Sequence, residues 1–556
     1  MTLPNAILIG FQEQGNLGVG YVAAMLIRRG FAVRILDFRE RPESILDTIR
    51  STNPVLVGFS LIFQYYVPQF RALAAYLRNN GIACHFCAGG HYPSLRYEHV
   101  LRDVPELDSV VRFEGEITLA ELTQRLAEGR NWQDVTGIAY RDGDRCISNA
   151  PRPLITDLDE LPFPARPLES ALTVLGRRAS PILASRGCCR DCSFCSIRQF
   201  YGQVPGKKVR TRNPAKVVQE MKALYEENGV SIFLFQDDDF PVWGPFGRRW
   251  IARFIDSLRE QGLYGKVIWK ISCRSDEVEP ELFARLRDAG LYVVYLGIES
   301  GNDTGLRALN KQLRLDDSLR AVRILKDLDL CFTYGFMLFD PSSTFDSVRE
   351  NTAYLRQITA DGGVPAVFCR MLPYAATPIE DRLAREGRLR GSVHNPDYDF
   401  LDPRLNSYFE VLNDLVACWM NGSDALSSQL NFAWHEYWVL RRLFPPMAGL
   451  QEYEHSLRSI TQRCNGYLLN LVAEVSQVFE RGRGRNPSSA KVRADSKGFS
   501  GQLLHTRDVF VARNQQTILA ALETAAGSGC GTAHKAAADV MPSNTSTLEE
   551  EVVCRT

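Results

Sequence analysis

The sequence predicts an α/β protein with a doubly wound N-terminal domain, a partial (β/α) barrel and a helical C-terminal cap. Three observations predict it. Short apolar runs alternate with helix-length stretches from residue 5 onward, many runs end in glycine or polar residues, and near residue 386 the alternation gives way to a helical, aromatic-rich pattern. At 556 residues the chain exceeds one ordinary core. Hydrophobic residues make up 45% and charged residues 23%, a soluble globular composition. Sixty-five basic residues balance sixty-five acidic ones, which predicts no nucleic-acid partner. No apolar run is long enough to cross a bilayer and Met1-Thr2-Leu3-Pro4-Asn5 carries no basic leader, so no membrane association and a cytoplasmic location are expected.

The first elements justify the doubly wound reading. Ala6–Gly10 is a strand, Asn16-Leu17-Gly18-Val19-Gly20 leads into a helix over 21–29, and 32–37 and 55–60 are further strands. A helix over 66–79, a strand over 82–88, Gly89-Gly90-His91 and a strand over 109–112 follow, closing on Glu114-Gly115-Glu116. This is successive βαβ winding. The glycines suit a phosphate-bearing or large planar ligand, but G-x-G-x-x-G is absent. Cys84 and Cys87 lie in an apolar strand pattern and read as buried structural thiols.

Among fourteen cysteines one group stands apart. Pro181 to Ser185 is a short apolar run entering a loop with C-x3-C-x2-C spacing, formed by Cys188, Cys192 and Cys195. Three thiolates on one tight loop can bind three irons of a cubane and leave the fourth open as a Lewis-acid site. Zinc would want a fourth Cys or His, and none follows within about thirty residues. Cys189 offers another first ligand, but only Cys188 gives the three-residue spacing.

Beyond the loop, strand patterns at 231–235, 267–271 and 292–298 alternate with helical ones at 214–227 and 279–289. Their carboxyl ends are Gln236-Asp237-Asp238-Asp239, Cys273-Arg274-Ser275 and Glu299-Ser300-Gly301. Turns and helix caps favour such residues, yet parallel sheets also gather chemistry at these ends. A later strand exits through Asp340-Pro341-Ser342-Ser343-Thr344.

The cysteine motif, with Phe194 just before its last member, resembles that of the radical S-adenosylmethionine (SAM) superfamily. The first half resembles the cobalamin-binding, Rossmann-like domain that precedes many radical SAM modules, and the similarity covers roughly residues 5 to 385. The resemblance implies a [4Fe–4S] cluster on Cys188, Cys192 and Cys195. It implies SAM contacts from Asp237 (amino group), Arg274 (carboxylate), Glu299 (ribose hydroxyls) and Ser300. It implies cobalamin contacts from Asn16, Gly18, Gly58, Ser60, Gly89, Gly90, Glu114 and Gly115. No D-x-H-x-x-G motif is present, so Leu61-Ile62-Phe63 rather than His91 is the expected surface beneath cobalt. The implied partners are a small-molecule substrate and an electron donor such as flavodoxin or ferredoxin. The implied reaction is methylation of an unactivated carbon or phosphorus through methylcobalamin and a 5′-deoxyadenosyl radical. Rearrangement or cyclisation without methyl transfer, and cobalamin sensing without catalysis, are the alternatives.

The expected domains are 1–145 (cobalamin), 146–180 (linker), 181–385 (radical SAM), 386–480 (helical) and 481–556, a mostly disordered tail with a helix near 515–524.

Overall fold

The computed structural model describes residues 3–12, 15–167, 172–482 and 486–526. They form two compact units, the first from 1–171, 183–216 and 373–397, the second from 172–182, 217–372 and 398–556.

The first unit is built on a seven-stranded sheet of β1 (Asn5–Gly10), β2 (Ala32–Asp37), β3 (Leu56–Ser60), β4 (His85–Gly89), β5 (Ser109–Val111), β6 (Ile138–Asp142) and β7 (Arg145–Ser148). Its order is β2-β1-β3-β4-β5-β6-β7. The first five strands are parallel and the last two add an antiparallel hairpin. The central strands are buried on both faces, so Ala6–Ile9 and Leu56–Phe59 read as continuous apolar runs. Apolar side chains cover both faces, with Ile45, Phe70 and Val100 in one layer and Met25, Leu26 and Leu119 in the other. The order reverses between β1 and β3, and such a switch point opens a ligand crevice at the carboxyl ends. β7 carries this unit past residue 145, into the stretch expected to be linker.

The second unit begins with β8 (Thr173–Val174) and β9 (Arg177–Ile182). The chain then contributes 183–216 to the first unit, including the antiparallel pair β10 (Ser185–Arg186) and β11 (Arg210–Thr211). β12 (Val230–Phe235), β13 (Ile268–Arg274), β14 (Leu291–Glu299), β15 (Cys331–Phe339) and β16 (Cys369–Arg370) extend the second sheet. Its order, β16-β15-β14-β13-β12-β9-β8, makes six consecutive parallel strands with one antiparallel edge. The sheet is open and curled, a partial barrel, because each helical crossover places the next strand beside the last.

Two further outcomes differ from expectation. The short strands β17 (Leu389–Gly391) and β18 (Pro396–Tyr398) occupy the start of the supposed helical segment, and helix begins at Pro403. The bundle is Pro403–Met420, Leu426–Leu443, Leu450–Arg481 and Ser489–Ala526. The last helix includes the one expected near 515–524 and extends it back through a stretch expected to be disordered. It is ordered because Val492, Leu503, Phe510, Ile518 and Leu522 are buried, Tyr453 stacks on Phe510 at 4.6 Å, and Arg507 makes two bonds of 2.6 and 2.7 Å to buried Glu436. Residues 483–485 and 527–556 of the expected tail lie outside the described residues.

Candidate functional site

At the carboxyl ends of the first sheet, the loops after β3 and β4 knit together. Leu61 N–H donates to the Gly89 carbonyl at 2.8 Å and Tyr92 N–H to the Ile62 carbonyl at 3.2 Å. Gly90 has φ +110, and a Cβ there would collide with the Leu61 carbonyl, so glycine is required. Ser60, Ile62, Phe63, Gly89, Gly90 and His91 are half-buried at these strand ends. A glycine and apolar surface at the switch point fits a large planar macrocycle such as cobalamin. Burial pushes the His91 imidazole down to about 4, so it is neutral near pH 7, and its ring lies 4.4 Å from Phe200.

The sequence-predicted residues of this domain divide by role. Ser60, Gly89 and Gly90 are half-buried at the carboxyl ends of β3 and β4. Asn16 caps the helix Leu17–Arg28, its side chain accepting from Val19 N–H at 3.0 Å, with exposed Gly18 in the first turn. Gly58 is buried within β3, where a Cβ would press on Leu8 at 2.9 Å. Gly115 begins the helix Gly115–Ala127, against Val111. Glu114 is a brace, pairing with Arg186 at 2.9 Å and Arg210 at 2.8 Å and accepting from Ile155 N–H at 2.7 Å. Burial alone raises the Glu114 carboxyl, but Arg186 and Arg210 outweigh it and hold it below its usual range.

Arg186 ties this brace to the cysteine loop. Its guanidinium also reaches buried Glu116 at 2.6 Å, two residues before Cys188. Gly187 has φ +87 with the Lys208 carbonyl against the position of a side chain, so the turn into the motif demands glycine. Cys188, Cys192 and Cys195 are half-buried and Cys189 is exposed. Cys195 N–H donates to the Cys192 carbonyl at 3.3 Å, closing a tight turn before the helix Ser196–Gly202. Among the described residues no three His, Cys, Asp or Glu side chains converge on a single ion. In a cubane each thiolate takes a different iron, which three cysteines at C-x3-C-x2-C spacing can supply. The donor set and spacing therefore fit a [4Fe–4S] cluster.

In the second unit, Asp237 and Asp239 are buried after β12 while Gln236 and Asp238 are exposed. Cys273 lies among Asp239, Asp276 and Glu277, and burial with these charges holds its thiol well above its usual range. Arg274 is buried and largely engaged. It donates to Asp276 at 3.0 Å, to the Lys311 carbonyl at 2.9 Å and to the Gln312 carbonyl at 3.2 Å. Glu299 ends β14 at φ +68, a strained conformation for a non-glycine residue, and accepts from Lys311 Nζ at 2.9 Å. A Cβ at Gly297 would meet that Nζ at 2.7 Å, and one at Gly335 would meet Tyr295 Oη at 2.5 Å, so these glycines clear room for the pair. Ser300 is buried and bonds Asn351 Oδ1 at 3.2 Å, together with Gly301 N–H at 2.7 Å. Lys311 is the functional neighbour that sequence reasoning missed. Its loop carries two left-handed residues, Asn310 and Gln312, and supplies partners to both Arg274 and Glu299.

The Radical SAM superfamily profile matches residues 182–353 and the B12 binding domain profile matches 12–123. The chain belongs to the B12-binding radical SAM enzymes. These two domains are the ones that use a [4Fe–4S] cluster with SAM, and cobalamin. Similar proteins include an uncharacterized methyltransferase of Pyrococcus horikoshii, 26% identical over 368 residues, 65% of this chain and 77% of that one. The anaerobic magnesium-protoporphyrin IX monomethyl ester cyclase of Cereibacter sphaeroides is 30% identical over 320 residues, 55% of this chain and 50% of that longer protein. The cytidylyl-2-hydroxyethylphosphonate methyltransferase of Streptomyces wedmorensis is 27% identical over 455 residues, 70% of this chain and 80% of that one. In fold, this B12-binding radical SAM enzyme is similar to the cobalamin-dependent SAM radical enzyme OxsB, with a TM-score of 0.65 at 16% identity over 94% of this chain and 84% of that one. No helix among the described residues is long and apolar enough to cross a membrane.

Proposed function

We propose that this enzyme methylates an unactivated carbon or phosphorus of a small metabolite or natural-product intermediate. The observation that carries the reading is the coexistence, in one chain, of an intact Cys188–Cys192–Cys195 motif and a glycine-bearing, apolar strand-end surface without an Asp-x-His-x-x-Gly ligand motif. When bound, cobalamin supplies methyl transfer and the cluster with SAM supplies a hydrogen-abstracting radical; the protein supplies placement and exclusion of water. Cys188, Cys192 and Cys195 hold three irons. Asp237 receives the methionine amino group and Glu299 the ribose hydroxyls, pairings that suit a buried carboxylate. Arg274, already tied to two carbonyls, keeps little donor capacity for the SAM carboxylate and chiefly stiffens the strand end. Ser60, Gly89 and Gly90 would border the cobalamin, and Ile62 and Phe63 would give it an apolar floor. An electron donor such as flavodoxin or ferredoxin reduces the cluster.

Methylation leads because two of the similar proteins are named methyltransferases. The similar cyclase favours ring closure without methyl transfer as the second reading. SAM deuterated at its methyl group separates them. Anaerobically reconstituted enzyme with hydroxocobalamin and reductant is expected to place the label on cobalt and release S-adenosylhomocysteine beside 5′-deoxyadenosine. Formation of 5′-deoxyadenosine alone, with cobalt unlabelled, refutes methyl transfer and favours cyclisation.

A further inference from the structure

Residues 373–397 belong to the first unit. They form a strap of the helix Pro378–Arg385 and β17, ending in the first residues of β18. Its contacts are specific. Arg96 pairs with Glu380 at 2.7 Å, Asp103 lies 2.8 Å from His394 Nε2, and Ile379 N–H donates to the Ser193 carbonyl at 3.1 Å. Ser193 lies between Cys192 and Cys195.

The most demanding contact comes from Gln64, in the loop that follows β3. Its side-chain amide donates to the Val393 carbonyl at 2.9 Å and accepts from Ala375 N–H at 2.8 Å. Gln64 is only 2% exposed, so water is a poor substitute for either partner. Its neighbour Phe63 stacks on Tyr65 at 5.3 Å and lies 5.9 Å from Tyr374 of the strap. One buried amide thus clasps both ends of the strap and sits beside the half-buried Phe63 of the strand-end surface.

We propose that Gln64 is a positioning residue that locks the loop after β3 to the strap 373–397, so that cobalamin binding and strap docking favour each other. This rests on the reading that cobalamin lies at the carboxyl ends of β1 and β3. A group that binds the docked arrangement better must stabilise docking by the same factor. Because the strap also reaches Ser193, the clasp joins the cobalamin floor to the cysteine loop.

The test is hydrogen–deuterium exchange across 373–397 in the full-length, cluster-reconstituted protein with and without hydroxocobalamin, alongside cobalamin affinity from absorption titration. Cobalamin is expected to slow strap exchange in the wild-type chain. Gln64→Ala is expected to abolish that slowing and raise the cobalamin Kd about tenfold, the effect of orphaning a buried hydrogen-bonding pair. Gln64→Glu, which keeps an acceptor for Ala375 N–H but sets a carboxylate against the Val393 carbonyl, is expected to fall between the two. Unchanged protection of β1 and β4 in both variants identifies the loss as local. Strap exchange indifferent to bound cobalamin in the wild-type chain, or a Gln64→Ala chain that keeps both slowing and affinity, overturns the inference alone. A wild-type chain that binds no cobalamin overturns it together with the reading on which it rests.

Discussion

Cys188, Cys192 and Cys195 sit half-buried on a loop with little regular structure, whereas Glu299 is buried at the end of a nine-residue strand with Lys311 already on its carboxylate. The two regions solve different problems. On the proposed assignment, thiolates that take up an inorganic cluster need access, and their loop is fixed from behind by Gly187 and the Arg186–Glu116 pair. On the same assignment a carboxylate meant for ribose hydroxyls would gain from being aimed beforehand, and the strained φ at Glu299 persists because strand, glycines and lysine over-determine it. The contrast shows function held by spacing in one region and by packing in the other.

The largest effect is expected where spacing alone carries function. Replacing Cys188, Cys192 or Cys195 by Ala is predicted to abolish the charge-transfer absorbance of the cluster and all 5′-deoxyadenosine formation. Cys189→Ala, altering the exposed neighbour, is predicted to retain both. Loss in Cys189→Ala would move the first ligand by one residue.

Where packing carries function, breaking it costs stability as well. Lys311→Met leaves Glu299 buried without its cation, a change of about 3–5 kcal/mol for a buried pair. A lower thermal midpoint and weaker SAM binding are predicted, with Lys311→Arg recovering part of both. A variant with normal SAM affinity would show that Glu299 needs no positioning by Lys311.

Gly187→Ala probes the backing of the cysteine loop. At φ +87 the alanine adds about 1–3 kcal/mol of strain, besides its collision with the Lys208 carbonyl. Iron content after reconstitution is predicted to fall several-fold while the melting of the second unit stays put. Full iron loading would show that the loop tolerates a shifted entry.

The smallest effect concerns acid. Burial lowers His85 from 6.5 to about 4, with Asp108 opposing and Arg78 assisting, while its ring bonds Ser109 at 2.8 Å. Between those values the unfolded chain takes up a proton that the folded chain refuses, so stability falls as pH falls from 6.5 toward 4. The contribution is at most about 1.4 kcal/mol per pH unit. His85→Asn is predicted to flatten this slope in denaturant melts relative to the parent; an equal slope would mean the imidazole is protonated in the fold.

How much of this was legible follows the same division. The cysteine triad is readable because its geometry is local, three residues and then two. The parallel strands are readable because burial on both faces leaves apolar runs such as 232–235. Lys311 was not, since it meets Glu299 only through a turn of left-handed residues twelve positions on. The bond between Glu114 and Arg186 spans 72 residues, so Glu114 read as a cofactor contact rather than as a brace. By chain order residues 373–385 of the strap were assigned to the barrel and 386–397 to the helical segment, although the strap's contacts through Gln64 and Arg96 lie in the first unit. Of the helix Ser489–Ala526 only the part near 515–524 was legible; the rest was hidden by small and charged residues around a sparse apolar stripe, which becomes informative only against its neighbours.

The most direct test of the account is electron paramagnetic resonance of the anaerobically reconstituted, reduced enzyme with and without SAM. A [4Fe–4S]⁺ signal that shifts on adding SAM, and is absent in Cys188→Ala, is the predicted result. A cluster signal indifferent to SAM, or one that survives in Cys188→Ala, would contradict the assignment of an open iron to this cysteine loop.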